Sequence, residues 1–159
     1  MRFSITTALT AALCFVSATS ALTADQQSAL DIHNKGRKAK SLPLLTWDNA
    51  LVTSAQQCAN KIAASGNFAH CQSGENLYAQ YGSTAPPQAA AAQAWMNEAS
   101  VYKGEVIPQG NFAGYGHYTQ AMWKNTKKVG LAVAKGSNGW TYVVAHYDPA
   151  GNVVGQKPY

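Results

Sequence analysis

Leu51, Ala55, Cys58 and Ile62 recur at steps of four, three and four, the clearest amphipathic helical stripe in the chain. Asp48 or Thr46 offers a cap before it, and Ser65-Gly66 offers a left-handed stop after it. Upstream, Thr23-x-x-Gln26 has the form of a capping box. It opens a helix that runs to about Arg37, with Ala29, Leu30, His33 and Arg37 at helical spacings. Leu42-Pro43 breaks the chain between the two. A third helix starts at Pro86-Pro87, where proline suits a first turn, and continues through an alanine-rich run to Glu98 or beyond. Trp95, Glu98 and Tyr102 fall on one side of it.

Elsewhere the apolar period drops to two. Leu77, Ala79 and Tyr81 alternate within 76–81, which reads as a strand. The segments 129–134 and 141–147 read as two more, joined across Gly136-Ser137-Asn138-Gly139 as an antiparallel hairpin. The segment 103–116 is glycine-rich and polar, and predicts a long functional loop leading to His117. The tail from Asp148 is expected to return along the surface. Helices on either side of a short strand, followed by a hairpin, predict an α+β fold with helices on both faces of a small antiparallel sheet.

Residues 1–21 stand apart from this pattern. Arg2 is followed by a largely apolar run from Ile5 to Val16 and by small residues at Ala18 and Ala21, the form of a secretory signal peptide. Cleavage is expected between Ala18 and Ala24, which leaves one domain over 22–159. Thr6, Thr7 and Thr10 interrupt a run already short of the roughly 20 residues that span a bilayer. Losing Arg2 lowers the formal net charge from +5 to +4. The basic residues form scattered groups (Lys35, Arg37, Lys38, Lys40; Lys124, Lys127, Lys128) with no interleaved aromatics, so nucleic acid is not an expected partner. A mild attraction to an anionic cell wall or membrane surface is the most this charge supports.

Cys14 leaves with the signal, and Cys58 and Cys71 remain. In the oxidising compartment a signal peptide implies, they are expected to pair with each other. Closing that loop would stabilise the fold by about 3 kcal/mol. His70 stands beside Cys71, so zinc ligation is the alternative.

His70, Glu75, Glu98 and His117 each lie at an element boundary or beside an aromatic residue. Two imidazoles and two carboxylates suit a divalent cation, and suit acid–base chemistry equally. His33 reads as a structural helix residue, and His146 as a surface or packing residue on its strand.

Four segments carry a family resemblance: HNKGR (33–37), GENLY (74–78), GHYTQAMW (116–123) and YVVAHYDPAGNVVG (142–155). They resemble the signature motifs of the CAP superfamily, which comprises cysteine-rich secretory proteins, antigen-five allergens and pathogenesis-related group-one proteins. The motifs stand in family order over the whole region after the leader. The resemblance implies an α-β-α sandwich with a central cavity holding His70, Glu75, Glu98 and His117. It implies zinc or another divalent cation on His70 and His117. It also implies a loop before the histidine motif that meets sterols or fatty acids, here Tyr102, Val106, Ile107, Pro108 and Phe112. Where many relatives carry hairpin cysteines, this chain has Leu131 and Ala145.

The leading expectation is a secreted, extracellular CAP-domain protein of fungal type that binds small lipids without catalysis. One alternative is a zinc-dependent hydrolase in which Glu75 or Glu98 activates water. The other is a secreted effector or cell-wall interaction protein.

Overall fold

The computed structural model describes residues 21–159. The leader expected over 1–21 lies outside them, Ala21 apart. The first helix, α1, covers Ala24–Ala39, and its capping box closes in both directions: the Gln26 amide donates to Thr23 Oγ1 at 3.2 Å, and the Thr23 amide to Gln26 Oε1 at 2.9 Å. A two-residue strand β1 (Thr46–Trp47) precedes α2 (Asn49–Ser65). Asp48 is the residue that caps α2, accepting from the amides of Ala50 and Leu51, and Gly66 ends it at φ 69°. Strand β2 (Glu75–Tyr81) leads to α3 (Pro87–Asn97), which tightens into a 3₁₀ turn over Glu98–Ser100. Helix α4 (Phe112–Ala121) and the hairpin β3 (Lys128–Lys135) and β4 (Trp140–Asp148) complete the order.

The sheet runs β1-β3-β4-β2. β4 pairs antiparallel with both neighbours, but β1 runs parallel to β3, so the sheet is mixed at one edge rather than wholly antiparallel. The reason is local. After α1 the chain has two residues in which to travel along β3 before Asp48 turns it into α2, too few to leave a strand signal in the sequence.

Strand alternation sends successive residues to opposite faces. Leu131, Val143, Ala145 and Tyr147 pack against Ala29, Trp95 and Ala121 of α1, α3 and α4. Leu77, Ala132, Tyr142 and Val144 pack against Ala55, Cys58, Ala59 and Ile62 of α2. This is an α-β-α sandwich, and each fully buried Leu, Ile or Val in it contributes about 1.5–3 kcal/mol. Leu131 and Ala145 are direct cross-strand partners, both fully buried, so the absent hairpin cysteines are replaced by an apolar contact. Gly130 sets the distance between α2 and the sheet. A Cβ there would lie 2.5 Å from the Val52 nitrogen and 2.7 Å from the Asp48 oxygen, so the helix start rests directly on the strand.

Helix α4 corrects the loop expected over 103–116. The segment folds from Phe112 onward, so His117 sits inside a helix and not at its mouth. Glycines 114 and 116 lower intrinsic helicity; tertiary contacts of the buried Tyr115, Tyr118, Thr119, Gln120 and Ala121 override that. Trp95 and Trp123 lie in the core, whereas Trp47 is half-buried.

Arg37 locks α1 to the end of α4 and the segment that follows it. Its guanidinium, fully buried, donates to the carbonyls of Pro43, Ala121, Trp123 and Thr126 at 2.7–3.0 Å. Burial lowers its pKa to about 10, which leaves it charged.

Candidate functional site

The structure places the four expected residues in two imidazole–carboxylate pairs; three of them, His70, Glu75 and His117, line one cleft, and Glu98 does not. In the first, His70 stands on the loop after α2 and Glu75 opens β2. His70 Nδ1 lies 3.0 Å from Glu75 Oε2, and the Cys71 amide donates to the same oxygen at 2.9 Å. The loop is tied back to α2 by the Cys58–Cys71 disulfide. Both sulfurs and a Glu75 oxygen lie within 4.8 Å of one another. Disulfide-bonded sulfurs offer no thiolate, so zinc ligation by these two cysteines is set aside.

In the second pair, Glu98 opens the 3₁₀ turn after α3 and His117 stands on α4. His117 Nδ1 lies 2.7 Å from Glu98 Oε1. Glu98 Oε2 accepts from the backbone amides of His117 and Tyr118, both at 3.0 Å. The indole of Trp95 stacks on the imidazole at 6.3 Å. Asn76 joins the two walls by donating to the His117 carbonyl at 2.9 Å and to the Tyr147 hydroxyl at 3.2 Å.

His70, Glu75 and His117 line one cleft of about 530 Å³, a size in the range of ligand sites. Phe112, Ser73 and Asn152 complete part of its rim. In a neutral imidazole whose Nδ1 donates to a carboxylate, Nε2 keeps its lone pair. This is the arrangement that orients histidines for metal ligation. Burial pushes the Glu75 carboxyl up, but hydrogen bonds from His146, the Cys71 amide and His70 outweigh it and hold the group below the usual carboxylate range.

His146 is a packing histidine rather than a surface one, and its packing carries a buried partner that the sequence did not reveal. Its side chain is 2% exposed and its Nε2 lies 2.8 Å from Glu75 Oε1. The available signal was its parity: His146 shares the inward, α2-facing phase of β4 with Tyr142 and Val144. A polar residue at such a position calls for a buried partner. His33, by contrast, is structural. Its Nδ1 donates to the Ala29 carbonyl and its Nε2 accepts from the Tyr147 hydroxyl, both at 2.8 Å. Burial, with a smaller contribution from Arg37, holds its pKa down to about 4.

The five residues expected to meet lipid are spread over two environments. Ile107 is 2% exposed and packs with Tyr115 and Trp123, while Tyr102 and Phe112 lie half-buried against the same cluster. Val106 is half-buried and Pro108 exposed. Of the five, Phe112 alone lines the cleft. The tail is stitched to this loop: the Ile107 amide donates to the Gln156 carbonyl and the Gly155 amide to the Ile107 carbonyl.

Residues 30–147 match the CAP, or cysteine-rich secretory protein, family, and the chain belongs to it. It is 41% identical over 138 residues to pathogenesis-related protein 1B of Nicotiana tabacum, covering 84% of this chain and 80% of the tobacco protein. It is 42% identical over 136 residues to the secreted protein RBT4 of Candida albicans, covering 83% of this chain and 37% of that longer protein. Among solved structures, NaASP2 with Zn2+ superposes with a TM-score of 0.74 at 26% identity, covering 86% of each chain. The hookworm platelet inhibitor shares the fold at a TM-score of 0.74 and 23% identity, over 87% of this chain and 76% of its own.

Proposed function

We propose that this chain is an extracellular binding protein whose cleft takes a divalent cation, zinc first, on His70 and His117. One observation carries the reading: both imidazoles at the cleft hold Nδ1 against a carboxylate, which leaves both Nε2 atoms as ligands. Zinc bound there supplies a Lewis acid and a docking point for an anionic or carbonyl oxygen. The carboxylates favour binding over hydrolysis. Glu75 accepts from His146, His70 and the Cys71 amide, and Glu98 from His117 and two backbone amides. A carboxylate so engaged, and in the case of Glu75 held below its usual range, is a weak general base. Calorimetric titration of the protein with zinc tests the proposal: saturable binding is expected, with loss in His70→Ala and His117→Ala. Equal binding by the double variant, or none by the wild type, overturns it.

Lipid carriage is the second part of the reading, and a second hollow favours it. Between α1 and α3 lies a cavity of about 320 Å³ lined by Ile32, Gly36, Ala39 and Met96, with Lys35 and Gln93 beside them. Apolar walls with a few polar groups suit an acyl chain or a sterol. Met96→Glu is expected to abolish saturable fatty-acid binding, while Val106→Ser or Pro108→Ser reports on the loop before α4. If none of these changes binding, or the wild type binds neither lipid class, the lipid reading fails and a protein or cell-wall partner takes its place.

A further inference from the structure

We infer that His146 is a positioning residue for His70, acting through the shared carboxylate of Glu75. The inference rests on the cation reading of the cleft, and names what presets one of its two ligands.

The carboxylate of Glu75 is fully buried and its two oxygens face different partners. Oε2 receives His70 Nδ1 and the Cys71 amide; Oε1 receives His146 Nε2 at 2.8 Å. The plane of a carboxylate is fixed once both oxygens are engaged by rigid donors. His146 is such a donor, since its ring is held at the other edge. Ser54 Oγ on α2 lies 2.7 Å from His146 Nδ1, and Gln72 Nε2 lies 3.4 Å from the same atom. The hydroxyl of Ser54 is also 3.0 Å from the Leu51 carbonyl. A chain of side chains therefore runs from α2 through β4 and β2 to the loop that carries His70.

The loop itself cannot supply this order. His70 leaves 56% of its side chain in water, and its ring has Glu75 as its hydrogen-bond partner. The disulfide fixes Cys71, one residue on, yet leaves the imidazole free to turn about its own bonds. Only the orientation of Glu75 Oε2 selects the ring position that aims Nε2 at the cleft. With His146 gone, Oε1 loses its donor and the carboxylate can rotate. A Ser–His–Glu hydrolytic relay is not the explanation, because Ser54 is not among the residues lining the cleft.

The test compares His146→Leu, which removes the donor, with His146→Gln, whose Nε2 can reach the place of the lost ring nitrogen. Zinc affinity is expected to fall about 10- to 100-fold in His146→Leu and to recover to within a few-fold in His146→Gln. ¹⁵N NMR of the zinc-free protein reads the cause directly: His70 is expected to hold the Nδ1–H tautomer in the wild type and to mix tautomers in His146→Leu. Should His146→Leu fail to fold, Ser54→Ala frees the ring from its other edge and is expected to shift both readouts the same way by a smaller factor. An unchanged His70 tautomer in a folded His146→Leu or Ser54→Ala protein overturns the inference, even if zinc binds. A tautomer that shifts in a protein binding no zinc upholds the positioning role and sinks the cation reading instead.

Discussion

Glu75 keeps none of its side chain in water while its partner His70 keeps 56%; Glu98 keeps 20% and its partner His117 30%. The same two residue types are thus mounted in opposite ways. On the Glu75 side the carboxylate is the fixed point, held by the His146 side chain of β4 and the Cys71 backbone amide of the disulfide-tied loop, and the imidazole hangs from it. On the Glu98 side the imidazole is the fixed point, carried on α4 under Trp95, and the carboxylate is clasped by that helix's own amides. A site of this kind can be weakened from one wall without the other, because the two rest on different parts of the fold.

The largest separation is expected from deleting the carboxylates. Glu75→Ala strands the buried His146 and the Cys71 amide, and should cost about 3–5 kcal/mol in urea denaturation. Glu98→Ala, whose donors lie closer to solvent, should cost about 1–2 kcal/mol. Equal losses would break the contrast. Next comes Cys58→Ser with Cys71→Ser, or reduction, which should cost about 3 kcal/mol. Hydrogen exchange should then rise across 66–74 while α4 stays protected; a rise in both would mean the two walls share their support.

Acid offers a third test. The His33 imidazole binds its proton at 6.5 unfolded and at about 4 folded. The unfolded chain therefore takes up more protons between those values, and stability falls as pH drops from 6.5 to 4, by roughly 3 kcal/mol. Tyr147, Arg37 and Trp95 face this imidazole. Tyr147 connects it through Asn76 to the carbonyl of His117, so the α4 wall should loosen first. Glu75 contributes stability above the ordinary carboxylate range and loses it only at lower pH, since its folded pKa is depressed. Proton-linked stability that is flat from pH 6.5 to 4 would remove His33 from this account. Packing gives the last contrast, and its weaker member is the smallest effect of all. Gly130→Ala drives a Cβ into the backbone of α2 and should cost about 1–3 kcal/mol. Gly116→Ala, whose Cβ would meet the movable Phe112 ring at 3.1 Å, should stay within about 0.5 kcal/mol.

What could be read before folding follows the range of the interactions. The caps of α1 and α2, the Gly66 stop and the β3–β4 hairpin are written in residues a few positions apart, and all were legible. So was the Cys58–Cys71 bond, once Cys14 is assigned to the expected leader. His70 and Glu75 lie five residues apart and could be suspected as a pair. Glu98 and His117 are joined across a segment whose glycines hid α4, and motif resemblance rather than periodicity brought them together. β1 is too short to carry a pattern. His146 was placed on its strand without its phase; parity with Tyr142 and Val144 turns it inward, where a polar side chain calls for a buried partner.

Arg37 has a consequence for the order of assembly. Its guanidinium can be satisfied only when the carbonyls of Ala121, Trp123 and Thr126 are present, so a helix written near the beginning of the chain cannot dock until residues near its end have been made. The first helix must wait on the last third, and maturation of the cleft waits with it.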